Sequence, residues 1–371
     1  MHILLAPDSF KESLAAEKVT LALKQGFERA LPEASFDLMP LGDGGEGTGR
    51  ILREALGLSV NSLPVTGPFG EPTDFPYASK EQLAVIEIAD LVGLAGIPIE
   101  ERHPLQIATQ GLGELLIHLA QTGIQHVLIA LGGSASHDGG LGLAAGLGYR
   151  FLDGEGQILP ALGQSLGKIA RLDKGQAQDL SAMTIEVLVD VTNPLCGSKG
   201  ATYTFAGQKG LDQADFARVD AAMEDTYQLL NPSVISQPGA GAAGGLAAGL
   251  VTFAGARLVS GIDRVLDLLH FDERVVEADL VVVGEGKLDR QSLSGKAPIG
   301  VARRTPADTP VVAICGSLGR DLPSFPVENI QAAFSILPRL ENKEQAFADT
   351  EENLIRTACN IGNVLRLKTT K

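Results

Sequence analysis

The sequence predicts an α/β protein of two α/β domains. One is a doubly wound, mostly parallel sheet of Rossmann or flavodoxin type, built from both chain ends. The other is an inserted mixed α/β domain, and the active site is expected in the cleft. Three observations carry this expectation. Short apolar runs such as Val127-Leu128-Ile129-Ala130-Leu131 have the unbroken texture of strands buried on both faces. Between them lie stripes of helical period. After residues 6, 41, 131, 189 and 283 such a run gives way to a loop of glycines and acids, and a parallel sheet presents its ligand groups at the carboxyl ends of its strands. At 371 residues the chain exceeds one ordinary core. The boundaries are placed at 1–65 with 255–371 for the discontinuous domain and 66–254 for the insert.

Taken in order, His2 to Ala6 is the first strand, and Pro7-Asp8-Ser9-Phe10-Lys11 the turn that leaves it. Ser9 and Glu12 have capping-box spacing, ahead of a helix with Val19, Leu23, Phe27 and Leu31 on one stripe. Asp8 and Lys11 are either ligand groups or a cap and a solvated lysine. Ser35 to Leu41 is a second strand, followed by Gly42-Asp43-Gly44-Gly45-Glu46-Gly47-Thr48. Asp43 and Glu46 suit magnesium, or cap the helix of Ile51, Leu52 and Leu56, although a cap accounts for one acid and not for four glycines.

From Leu58 to Ala89 the texture is strand, turn, strand. Thr109 is the expected cap of the helix that follows it, and His118 and His126 read as ordinary histidines. The strand 127–131 opens into Gly132-Gly133-Ser134-Ala135-Ser136-His137-Asp138-Gly139-Gly140 and a helix of small residues. Such a loop can bring backbone N–H groups and a helix N-terminus to an anion, or be a plain strand–turn–helix corner. Tyr149 to Leu159 reads as a hairpin turning at 153–156. Ile185 to Val191 is a strand ending in Asp190-Val191-Thr192-Asn193-Pro194, and Thr202 to Ala206 is one more strand before Gln208-Lys209-Gly210. Asp279 to Val283 ends in Gly284-Glu285-Gly286-Lys287-Leu288-Asp289, with Lys296 beyond. Pro310 to Cys315 and Ala332 to Leu337 are further strands, and Glu352 to Leu367 is a closing helix.

Composition narrows the partners. A formal net charge of −15 argues against nucleic acid and anionic membranes. Residues 238–256 carry no charge, but their apolar content is mostly Ala and Gly, the texture of a tight helix contact in a soluble core. Cys196, Cys315 and Cys359 are too scattered for a disulfide frame and point to a reducing, cytoplasmic setting. No basic stretch and apolar core of a signal peptide opens the chain. Cys196 lacks a local basic group and reads as packing. Glycine, 44 residues, stands well above the ~7% average and belongs in loops that approach a ligand closely.

No single motif decides the chemistry. A Walker-type G-x-x-x-x-G-K-[ST] is absent. Gly239-Ala240-Gly241-Ala242-Ala243-Gly244 matches the dinucleotide pattern without a convincing strand before it, which leaves an NAD-dependent dehydrogenase as a weak alternative. A silent nucleotide- or sugar-acid-binding regulator is another. The recurring strand-end loops, with lysines and amides among them, suit phosphoryl transfer.

Resemblance sharpens that reading. APDSFKESL, PLGDGGEGT, VTGPFG, TQGLGELL, GGSASHDGG, DVTNPLCGSKGA, AGQKG, PGAGAAGGL and GEGKLDRQSLSGKAP closely resemble, in order from residue 6 to 298, the motif series of bacterial type-1 glycerate kinases. Departures stand at Gly42 before Asp43, at Ser136-His137 before Asp138 where the family usually has an asparagine, and at Ala206-Gly207 before Gln208-Lys209-Gly210. The resemblance implies transfer of phosphate from ATP, with Mg2+, to D-glycerate. The 2-hydroxyl is the expected acceptor, and a 3-kinase or a kinase of a related small hydroxy acid is the alternative. A homodimer is kept as a possible assembly.

The residues expected to carry the reaction follow from both readings. Asp190, with Asp138 second, would accept the acceptor's proton. Lys11, Lys287 and Lys296 would meet phosphate charge, and Gly132, Gly133, Ser134, Gly284 and Gly286 would line the nucleotide. Asp8, Ser9, Asn193 and Lys209 would hold the acid, and Asp43, Glu46 and Asp289 the metal.

Overall fold

The computed structural model describes residues 1–290, 292–339 and 342–369. The chain forms two compact units, residues 1–43 with 262–371 and residues 44–261. These boundaries differ from the expected ones for a local reason. Ser59–Thr66 pairs antiparallel along its whole length with Pro72–Lys80, so it belongs with the second unit. Arg257–Ser260, a strand the sequence did not suggest, extends the same sheet beside Thr184–Val189.

In the first unit a five-stranded sheet runs Ile330–Ser335, Val311–Cys315, Leu280–Gly284, His2–Pro7, Ser35–Leu38, every pair parallel. Counted by position along this unit, that is the flavodoxin-like order, and the winding reverses between His2–Pro7 and Leu280–Gly284. The absence of alternation in these strands follows from burial on both faces. Ile3, Leu5, Leu280 and Val282 pack with Val19, Leu23 and Phe27 of the helix Ala16–Ala30 and with Leu354 and Ala358 of the helix Thr350–Thr369. Leu4, Val281 and Val283, pointing the other way, are equally buried. The two helices touch at Gly26, where a Cβ would lie 2.4 Å from the Ile355 carbonyl oxygen.

The second unit holds a six-stranded mixed sheet in the order Arg257–Ser260, Thr184–Val189, His126–Ala130, Leu83–Glu87, Pro72–Lys80, Ser59–Thr66. The first four strands are parallel, and the last two close one edge as an antiparallel meander. Its core gathers Ile86, Val127, Ile129, Ile185 and Val187 with Leu112, Leu115 and Leu116 of the helix Gln110–Gln121 and Leu246 and Leu250 of Leu246–Ala254.

Several local expectations are corrected. Thr202–Ala206 is not a strand but a short helical stretch. Its alternating TYTF pattern instead serves packing, with Tyr203 edge-on to Phe216 at 5.9 Å between ring centroids. No capping box forms at Ser9 and Glu12. Phe10 and Leu14 exchange backbone hydrogen bonds in a tight turn, Glu12 takes a positive φ of 65°, and the helix starts only at Ala16. Thr109 precedes its helix without capping it. The hairpin turn at 153–156 is present, but Arg150–Leu152 pairs chiefly with Arg171–Asp173. The helix Phe216–Leu230 was not anticipated. Among the described residues, no helix is long and apolar enough to cross a membrane.

Candidate active site

In the first unit the sheet's winding reversal places two loops side by side, Asp8–Lys11 and Glu285–Lys287. Asp8 N–H donates to the Gly284 carbonyl at 2.9 Å, which ties the two together. Glu285 is pinned from the next strand as well, since Gly316 N–H donates to its carbonyl at 3.1 Å and Ser317 N–H to that of Gly286 at 3.0 Å. These loops wall a cavity of about 560 Å³. Its polar lining includes Asp8, Ser9, Lys11, Asp43, Glu285, Gly286, Lys287, Asp289 and Lys296. Most of the first unit's predicted site residues therefore meet in one place, and Gly284 closes the strand beneath them.

The electrostatics of this cavity are strained. Asp8, Asp43 and Glu285 are all buried. Burial first, and repulsion from Asp43 second, hold the Asp8 carboxyl well above the usual range, against the opposing pull of Ser9 N–H and Lys11. Burial raises Glu285 to about 7, with the Ser292 hydroxyl and Lys296 working the other way and Asp43 and Asp289 adding repulsion. Its Oε1 is buried without a hydrogen-bond partner. Asp289 pairs with Lys287 at 2.9 Å. Such a donor set, all oxygen with cations at its edge, suits a divalent metal carrying phosphate.

Phe10, Ile336, Leu337, Ala346 and Phe347 line the same cavity, and the sequence did not mark them as site residues. A signal existed for two of them. The predicted strand ending at Leu337 would deliver its end to the same sheet edge as Pro7 and Gly284.

The second unit treats similar loops differently. Asp138 is fully buried, accepting from the Thr109 hydroxyl at 2.7 Å and from Gly140 and Gly142 N–H at 2.9 and 3.1 Å. Thr109 in turn accepts from Leu143 N–H at 2.9 Å. Burial raises the Asp138 carboxyl despite these donors. The carboxylate therefore staples the loop to two helices. Lys209, also buried, donates to Ser134 Oγ at 3.0 Å and to the Ser136 carbonyl at 2.8 Å, and burial lowers it to about 7. Beside it His137 Nε2 meets the Thr202 hydroxyl at 3.0 Å, and burial and then Lys209 push it down to about 3.

The glycines here serve close approach. A Cβ on Gly132 would lie 2.2 Å from Glu46 N, and one on Gly44 2.9 Å from the Leu188 carbonyl. The loop 44–47 therefore lies directly over two strand ends, which accounts for its run of glycines. The cap of the helix Thr48–Leu56 comes from across the sheet: Gly47 N–H donates to Glu87. Glu46 is exposed on that loop.

Asp190 is half-buried just beyond the strand Thr184–Val189. Asn193 follows, its Nδ2 donating to the Lys199 carbonyl at 2.7 Å and to Thr204 Oγ1 at 3.2 Å. Among the described residues no three His, Cys, Asp or Glu side chains stand close enough together to cage a metal alone. Asp43 and Asp289 belong to the first unit and Glu46 to the second. Cys196 is buried, its thiol pushed up to about 12 by burial and then by Asp220, as a packing residue should be. The glycines 239–244 follow no strand. They fall in a turn and a short 3₁₀ helix, where a Cβ on Gly244 would lie 2.3 Å from the Ser136 carbonyl oxygen.

Comparison with known proteins agrees along the whole chain. A family model described as "Glycerate kinase family" matches residues 3–366. A glycerate kinase of Neisseria meningitidis serogroup B is 53% identical over 368 residues, 99% of each chain. A glycerate 2-kinase of Escherichia coli K12 is 37% identical, covering 99% of this chain and 98% of its own. The crystal structure of a protein assigned as glycerate kinase 2, from Salmonella typhimurium LT2, superposes with a TM-score of 0.82 at 38% identity and full coverage of both chains.

Proposed function

This chain belongs to the glycerate kinase family, and from that premise we propose that it transfers the γ-phosphoryl group of ATP to D-glycerate, at the 2-hydroxyl, giving 2-phosphoglycerate and ADP. The observation that carries the reading is the cavity at the winding reversal of the first unit, where four lysines and four carboxylates line one space. Phosphoryl transfer asks a protein mainly for positioning and for charge stabilisation, and these groups supply both. The E. coli relative's name supports the 2-position.

Glu285, with Asp43 or Asp289, fits a magnesium ion. Glu285 Oε1 is buried and unpartnered, the neighbouring carboxyls repel one another, and Mg2+ needs only one or two carboxylates when phosphates and water complete its shell. When bound, the ion neutralises charge on the β- and γ-phosphates. Glu46, in the other unit, is not needed for that role. Lys11, Lys287 and Lys296 orient the phosphates and offset the charge that builds during transfer. Asp190 accepts the proton of the attacking hydroxyl. Asn193 and Lys209 serve the acid's side of the reaction by holding the loops 193–204 and 134–136 in shape.

A magnesium–ATP assay on D-glycerate, with the product passed to enolase in the absence of a mutase, tests this. ADP release together with an enolase signal is the expected outcome. ADP without that signal moves the phosphate to the 3-hydroxyl, and no ADP removes the kinase reading.

A further inference from the structure

Glycerate is a three-carbon acid with almost no apolar surface, yet the cavity of the first unit is about 560 Å³ and is lined in part by apolar side chains. That volume falls in the range that encloses a drug-sized ligand. Phe10, Ile336, Leu337 and Phe347 are part of the lining, Lys343 Nζ lies 5.0 Å from the Phe347 ring centroid, and the acids and the other lysines complete it. Leu337 is 41% exposed and Phe347 is half-buried, so both keep apolar surface that the fold itself does not cover. The cavity also sits where the sheet's winding reverses, the position at which doubly wound sheets take elongated phosphorylated ligands.

Resting on the kinase reading, we infer that this cavity is the nucleotide site, with adenosine against Phe10, Ile336, Leu337 and Phe347 and the phosphates directed to Lys11 and Lys296. Base and ribose bury the apolar surface that Leu337 and Phe347 leave uncovered, over Phe10 and Ile336, which the fold already buries. The phosphate chain runs toward Glu285 and Asp43, whose buried carboxylates then face a metal-bearing polyanion and not one another. Ser13 and Thr350, whose hydroxyls meet at 2.7 Å, line the same cavity and tie the turn after Pro7 to the start of the helix Thr350–Thr369.

Titration of the full chain with a fluorescent N-methylanthraniloyl ADP tests the assignment, a probe with its own signal in a protein that has no tryptophan. Phe347→Ala and Leu337→Ser should each weaken the probe about tenfold, the scale of one well-buried apolar side chain. Neither should shift the KM for D-glycerate. Lys296→Ala should weaken ADP while leaving the competition by adenosine unchanged. Leu337 is exposed, so its variant reports on binding even if Phe347→Ala folds poorly. Parent-like probe affinity in both wall variants overturns the inference, as does a loss that falls on glycerate KM instead. Tight probe binding without transfer to D-glycerate would overturn the kinase reading while leaving the nucleotide site standing.

Discussion

Two regions of this chain share one sequence signature, a buried strand running into glycines and an acid, and use it in opposite ways. At 284–289 the acids are displayed. Glu285 keeps an unpartnered oxygen, Asp8 and Asp43 crowd it, and lysines ring the space. At 132–140 the acid is consumed by the protein. Asp138 spends its oxygens on Thr109, Gly140 and Gly142, and Lys209 donates to the loop's own serines. A buried charge with its full set of partners is architecture, whereas one held at raised energy facing a cavity is available to a ligand. The type of residue at a strand end does not distinguish the two; the partners do.

The largest effect is expected at Asp190, the proposed proton acceptor, which lies in neither of these loops. Asp190→Ala should lower kcat about a thousandfold, in the range of a lost general base, and change unfolding free energy by less than about 1 kcal/mol. Activity within a few-fold of the parent would remove Asp190 as the base. Next comes Asp138→Ala. It strands the Thr109 hydroxyl and two helix N–H groups in the interior, and should cost about 3 kcal/mol in denaturant unfolding while the folded fraction keeps most of its kcat. A variant that melts like the parent but is inactive would move Asp138 to the catalytic side.

Last comes a pH dependence, small near neutral pH and growing toward the acid side. His137 is held down to about 3 from an ordinary 6.5. Between those values the unfolded chain takes up a proton that the native state refuses, so this residue makes stability fall as pH drops from about 6.5 toward 3. The raised Asp138 carboxyl contributes with the opposite sign, so the comparison must be between variants. Urea midpoints of His137→Asn should show a shallower acid-side decline than those of the parent. Identical slopes would mean the imidazole is not refusing the proton.

Much of the fold was legible from local pattern. The runs at 2–6, 127–131, 279–283 and 310–315 are strands within a residue or two, because burial on both faces leaves an unbroken apolar run wherever the strand lies in the chain. The motif series along 6–298 pointed to the family that the comparisons show. The misplaced strand at 202–206 and the missed one at 257–260 are short segments, where β propensity and neighbour packing carry similar weight.

The chemistry of the candidate site was legible as an inventory and not as an assignment. Lys11, Asp43, Lys287, Asp289 and Lys296 were visible as polar groups at strand ends, and the cavity gathers them. Which acid is a staple and which is on display depended on residues far away in the chain: Thr109 lies 29 positions from Asp138, and Glu87 40 positions from the helix start it caps. Ile336 and Phe347 join Phe10 only because five parallel strands end at one edge. The sequence by itself determined the buried strands, the family and the stock of charged groups, since each is written in local residue order. Only the tertiary structure decided their partners, because burial and hydrogen bonding are properties of the surfaces that meet, and those surfaces are joined by folding across hundreds of residues.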